Sequence, residues 1–242
     1  MNVCDIVLII ILAVFGIEGY RKGFFRETLN VLGIVIVLYI SFLLMNPLGN
    51  FLLEKLPIVS FSLIGVEIQS LSVLFYQLIS FVILSVVLYI ILNIILKITG
   101  LLSKVMGLNK ILVFPFKLLG GVVGLVTGYI VLFFILLVLS VPFNAKIASY
   151  RDSKIKDIII DNKIMMTKSI KKVSNSIDEV YDLTYRIDDD KNRLQNSDIY
   201  NAEVMDIMLK NRIVNISTID KLIKEKKIKT YDKLNVVLDK YR

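Results

Sequence analysis

The chain has 242 residues, 56% of them hydrophobic, with a mean hydropathy of +0.72 and a formal net charge of +8, where a soluble domain is about 45–50% apolar. Histidine is absent and Cys4 is the only cysteine, which excludes a disulfide framework, a Cys/His zinc site and a histidine-dependent triad within one chain. The positive charge is dispersed and has no zinc-finger spacing or basic stripe with interleaved aromatics, so neither a nucleic-acid partner nor a cofactor is expected. Residues 1–143 hold 8 Lys/Arg and 5 Asp/Glu, and residues 144–242 hold 21 and 16. The expected organisation is therefore a membrane domain over 1–143 and a charged helical region outside the bilayer over 144–242.

Residues 3–17 are apolar except for Asp5. At 1.5 Å per residue this run is marginal for a crossing, and extending it over residues 2–19 brings it close to the roughly 20 residues a spanning helix needs. A spanning helix and a re-entrant segment both fit. A cleaved signal peptide is disfavoured, because the positive charges follow the apolar run instead of preceding it and no convincing small-x-small cleavage site is present. The charged stretch 19–27 comes next and carries Arg21, Lys22, Arg26 and Glu27.

Residues 28–45 contain no charge and read as a second span, ended by Asn46-Pro47-Leu48-Gly49. From there to Ser70, Glu54, Lys55, Pro57 and Glu67 among apolar residues suggest a short amphipathic excursion at the interface. Residues 71–96 form a third uncharged run that includes Gln77, Ser80, Ser85 and Asn93. Lys97, Lys104, Lys110 and Lys117 follow without an acidic residue, and residues 118–141 make a fourth span before Pro142.

Gly120, Gly124 and Gly128 recur every four residues on one face of that fourth helix, where a second backbone can approach closely. The partner is either the first or second span of the same chain or another copy of it. Beyond residue 144, Ile155, Ile159, Met166, Ile170, Val173, Ile177 and Val180 follow helical spacing, as do Tyr231, Leu234, Val237, Leu238 and Tyr241. Ser197-Asp198 and Ser217-Thr218 read as helix starts, and Asp188-Asp189-Asp190 as a break. The fold class expected is all-α: four transmembrane helices followed by an amphipathic helical C-terminal region.

With four spans, Arg21, Lys22, Arg26, Lys97, Lys104, Lys110 and Lys117 fall on one side and only Lys55 in the loop opposite. The positive-inside bias puts the N-terminus and the tail outside the cytoplasm. Lys146, Arg151, Lys154 and Lys156 oppose this, but long tails translocate largely regardless of charge.

The segment Gly19-Tyr20-Arg21-Lys22-Gly23-Phe24-Phe25-Arg26-Glu27, with Asp5 upstream, resembles the colicin V production protein (CvpA-like) family of bacterial inner-membrane proteins. That family carries an Asp just inside the first span and a turn of the form Gly-x-Arg-x-Gly-Phe-x-x-Glu. The glycine-rich fourth span, preceded by Leu108-Asn109-Lys110, is similar too. The resemblance covers roughly residues 1–143, while the tail carries no family signature. It implies a multi-pass protein of the bacterial cytoplasmic membrane linked to production or export of a secreted toxin, or to envelope homeostasis.

Asp5 has two readings, a functional intramembrane acid or an acid favoured by a helix N-terminus. Glu18 and Glu27 beside Arg21, Lys22 and Arg26 are either a local ion-pair network or a partner surface. Arg21, Lys22 and Arg26 orient the spans, and Gly23 permits a positive φ before Phe24. Gln77, Ser80, Asn93 and Thr127 either hydrogen-bond across helices or line a polar path. The functional expectation is a non-enzymatic membrane component that contacts the lipid bilayer and another envelope protein, or a further copy of itself. A small transporter or oligomeric channel and a membrane-anchored scaffold that recruits a partner through its tail are the alternatives.

Overall fold

The computed structural model describes residues 2–98, 113–143, 150, 152–161 and 168–242. Lys104, the Leu108–Lys110 segment, Lys146, Arg151 and Met166 lie outside the described residues. In chain order the elements are α1 (Val3–Lys22), α2 (Phe24–Lys55), β1 (Phe61–Leu63), β2 (Val66–Ile68), α3 (Leu71–Ile98), α4 (Val113–Phe143), α5 (Lys154–Ile160), α6 (Lys168–Asp189), α7 (Ser197–Lys210), α8 (Ile216–Lys224) and α9 (Asp232–Asp239). The fold is that of an all-α, multi-pass membrane protein. Helices α1 to α4 are each long and apolar enough to cross a bilayer. Large apolar side chains such as Ile10, Leu32, Ile90 and Val122 stand exposed on all four, as lipid-facing helices require.

The described elements group into two compact units that are not consecutive in sequence. One comprises Met1–Leu43, Val82–Leu139 and Ile147–Asn162, and the other Leu44–Phe81, Ser140–Lys146 and Lys163–Arg242.

In the first unit, α1 starts with a capping box in which Asn2 receives the Cys4 N–H and Asp5 receives the Asn2 N–H. The apolar run continues as helix through the expected turn as far as Lys22, and the chain breaks at Gly23 alone, with φ 79°. The Gly23 N–H still bonds the Gly19 carbonyl at 2.9 Å, and the Gly23 carbonyl accepts from Glu27 N at 3.1 Å. A side chain at that φ would be strained. Phe24, Phe25 and Phe116 cluster beside the break, with ring centroids 5.2–6.3 Å apart.

In the second unit, α2 runs on through Asn46-Pro47 to Lys55, where the sequence suggests a stop. Proline removes one helical hydrogen bond, a loss that membrane helices tolerate when neighbouring groups re-anchor the segment. Here Met45 and Leu53 are buried and Gln77 of α3 donates to Asn50 at 3.0 Å. The expected interfacial excursion is instead a helix end plus a hairpin, with Phe61 opposite Ile68 and Leu63 opposite Val66. Ile64 and Gly65 turn it, both at positive φ, the signature of a tight two-residue hairpin turn. Leu63, Val66 and Ile68 face inward while Ser62 and Glu67 face out, a period of two that the mixed composition conceals.

Tail helices complete this unit. α7 packs against α6, α9 and β2. Val204, Met205 and Met208 of α7, Ile219 and Leu222 of α8, and Leu234 and Leu238 of α9 are almost wholly buried. Helix α6 ends at Asp189 and α7 begins at Ser197, which matches the Asp-rich break and the Ser-Asp start.

Candidate functional site

The motif residues converge where α1, α2 and α4 meet within the first unit. Gly19 sits so close to α4 that a Cβ there would lie 2.7 Å from Gly124 Cα and nearer still to the Gly120 carbonyl. A Cβ on Gly120 would lie 2.5 Å from the Gly19 carbonyl oxygen and 2.7 Å from Gly23 C. One on Gly124 would lie 2.9 Å from Gly19 Cα, and one on Gly128 2.8 Å from Phe15 Cβ. The three glycines of α4 therefore seat α1 of the same chain, Gly120 and Gly124 backbone on backbone and Gly128 against the Phe15 side chain, a geometry that only absent side chains permit. By contrast, a Cβ on Gly121 would meet its nearest neighbour, the Gly16 carbonyl, at 3.5 Å, an ordinary contact.

Glu27 lies one turn beyond Gly23 and is only 1% exposed. Its Oε1 accepts from Thr127 Oγ1 of α4 and from Asn30 Nδ2, both at 3.0 Å. Its Oε2 is buried without a hydrogen bond and lies 3.7 Å from Lys22 Nζ, which is itself 2.8 Å from Glu18. A buried carboxylate is costly unless paired and hydrogen-bonded, so this cluster favours one arrangement of the three helices. Arg21 points outward and Arg26 is half-buried. Of the motif, Gly19, Lys22, Gly23 and Glu27 form the junction, and Arg21 is its exposed face.

Asp5 stands apart from that junction, 4% exposed. Oδ1 accepts from Ser153 Oγ at 2.6 Å and from Ile155 N at 3.2 Å, and Oδ2 accepts from Asn2 N at 3.0 Å. One carboxylate thus serves the N-termini of both α1 and α5, where helix dipoles favour negative charge. Tyr150 Oη donates to the Leu136 carbonyl at 2.7 Å and Tyr129 Oη to the Ile159 carbonyl at 3.3 Å, so the segment after α4 is tied to α4 as well as α1. Helix α1 accordingly runs antiparallel to α4 from Gly19–Gly120 at one end to Asp5 and the segment after α4 at the other.

Gln77, Ser80, Asn93 and Thr127 in the spans each find local partners. Thr127 belongs to the Glu27 cluster, whereas Gln77 packs on Gly49 and bonds Asn50. Ser80 and Asn93 each donate to the carbonyl four residues back, Tyr76 and Tyr89. The amide oxygens of Gln77 and Asn46 are buried without partners. Sequence reasoning missed Ser153, although a serine just before an apolar-periodic run is a helix-start signal. It also missed Asn201, which donates to the Glu67 carbonyl at 2.8 Å and accepts from Ser70 N at 3.3 Å. No local pattern marks that long-range contact. Lys227, whose ammonium meets the carbonyls of Leu53, Glu54 and Leu56 at the end of α2, is equally invisible in sequence. Among the described residues, no group of three or more Cys, Asp or Glu side chains could hold a metal ion.

Comparison with known proteins agrees with this architecture. The pattern of the colicin V production protein family matches residues 4–164, roughly two thirds of the chain, so the match takes in Asp5, all four spans and the Ser153 segment. No curated protein and no solved structure matches the chain. From the extent of that match, the chain belongs to the colicin V production protein family.

Proposed function

We propose that this protein is a non-enzymatic component of the bacterial cytoplasmic membrane that supports the production or export of a secreted toxin of the colicin V kind, or envelope homeostasis. The observation that carries this reading is the family match over residues 4–164, which contains both helix ties, Glu27–Thr127 and Asp5–Ser153. In this reading the bulk of the protein supplies a rigid membrane platform, with reactive groups absorbed into packing. Arg21, Lys22 and Arg26 lie in the cytoplasm, and the exposed Arg21 near anionic headgroups contributes about 1 kcal/mol. The N-terminus, the β1–β2 hairpin and the tail helices lie outside.

Two ties, each within one unit, agree with a common side for these segments, and the positive-inside bias makes that side the outside. Asp5 bonds the segment after α4, and Asn201 and Lys221 of the tail bond Glu67 in the loop between α2 and α3 and Glu54 at the end of α2. Four crossings put all of these on one side. The test is complementation of a toxin-secreting strain that lacks its own family member, read as toxin activity in the medium. Restoration by the wild-type chain and loss in Gly124→Leu, at equal membrane abundance, is the result expected. Undiminished secretion without any family member would overturn the reading.

A further inference from the structure

A polar cleft of about 300 Å³ opens within the second unit, between the exit of the hairpin, the first turn of α7 and the segment 228–231. Its walls are fixed from behind. Asn201, itself buried, bonds Glu67 O and Ser70 N on the hairpin side and Ser197 O within α7. Ile228 is buried, and Lys227 anchors the preceding turn on the end of α2. The opening is therefore preformed, and binding there needs little ordering.

Two of the groups lining it have no partner. Glu67 at the hairpin exit and Asp198 in the first turn of α7 are exposed, and among the described residues neither carboxylate makes an ion pair or accepts a hydrogen bond. Lys229 on the third wall makes no ion pair with either of them, so the lining carries a net negative charge. The Tyr231 hydroxyl is held well above the usual tyrosine range by burial and by the nearby Asp198 charge, and it therefore stays a hydrogen-bond donor. On the third wall Tyr231, which precedes α9, is extended at φ −150° and ψ 161°. The backbone groups of Lys229 and Thr230 make no backbone hydrogen bond among the described residues. A wall segment with free backbone donors and acceptors can pair with an added strand, while flanking pockets choose its side chains.

We infer that this cleft takes an extended polypeptide segment carrying a lysine or arginine, whose backbone pairs with Lys229 and Thr230 and whose cation sits between Glu67 and Asp198. The inference goes beyond the toxin-related role and does not depend on it. An isolated cation would use the carboxylates and leave the Lys229 and Thr230 backbone unpaired, so a peptide satisfies more of the cleft than a free amine does.

The test uses the full chain in phosphatidylcholine nanodiscs and a fluorescent decapeptide of alternating valine and lysine, read by polarisation. Binding is expected to weaken about fivefold in Glu67→Gln and again in Asp198→Asn, the size of a partly exposed charge pair at each position. It should fall with rising salt and vanish when alternate peptide nitrogens are methylated. Near-wild-type thermal unfolding of both variants shows that the cleft still forms. No binding, equal binding of a valine–glutamate decapeptide, insensitivity to both substitutions, or competition by free lysine as strong as by the peptide would each overturn the proposal. So would a loss of self-association in the Glu67→Gln, Asp198→Asn double variant without peptide binding, because the occupant would then be a second copy.

Discussion

Two neighbouring glycines of α4 separate close backbone packing from mere helical composition. In Gly124→Ala, the new Cβ would lie 2.9 Å from Gly19 Cα and closer still to the Phe15 carbonyl oxygen. Both obstacles are backbone of α1 and cannot rotate away, so the helices must separate, and overpacking of this kind costs about 1–3 kcal/mol. In Gly121→Ala the nearest atom is 3.5 Å away, and the gain in helix propensity, up to about 1 kcal/mol, is free to appear. The assay is thermal unfolding of the two full-length variants in one mild detergent. Gly124→Ala should lower the midpoint, while Gly121→Ala should leave it at or above the wild-type level. Equal effects at the two positions would refute the argument, since they would mean that α1 does not lie on the Gly124 face.

Three further outcomes follow from particular contacts. Asp5→Ala removes the acceptor for Ser153 Oγ, Ile155 N and Asn2 N. It should expose the segment after α4 to protease, and Ser153→Ala should do so more weakly; unchanged cleavage in both would refute the tie. Glu27→Gln and Thr127→Val, combined in a double-mutant cycle on unfolding in detergent, should show coupling of about 0.5–3 kcal/mol through the 3.0 Å bond, whereas additivity would contradict it. Asp190 accepts from Tyr200 Oη at 2.5 Å, from Asn196 Nδ2 at 2.7 Å and from Asn192 N at 2.8 Å. These bonds, the Tyr200 bond foremost, hold its carboxyl below the usual 3.8. A depressed folded-state value stabilises the fold above pH 3.8, and the contribution fades as the pH falls below it. Asp190→Asn should flatten the acid side of the tail's stability profile below that point, and an unaltered profile would count against the arrangement.

The spans were legible because the bilayer asks for one property over about 20 residues, and residues 28–45, 71–96 and 118–141 have it. The glycine spacing at 120, 124 and 128 was legible for a related reason, since a period of four fixes a helix face whatever lies opposite. Which of the candidate partners lies on that face was not, because Gly19 and Phe15 lie about a hundred residues away. Pro47 misled the reading of α2. Local propensity favours a stop there, and the contact that carries the helix past it, Gln77 on Gly49 and Asn50, comes from another helix. The hairpin was hidden by its size, since two three-residue strands give a pattern too short to stand out from a mixed loop. Asp5 was noticed for its unusual place, but the group that explains it, Ser153, is 148 residues away.

The sidedness of the protein is tested most directly by paired reporters fused after Arg242, alkaline phosphatase, which is active only outside the cytoplasm, and a fluorescent protein that folds only within it. Four crossings with Arg21, Lys22 and Arg26 inside predict an active phosphatase and a dark fluorescent fusion. Bright fluorescence after Arg242, with the four spans still inserted, would contradict the account.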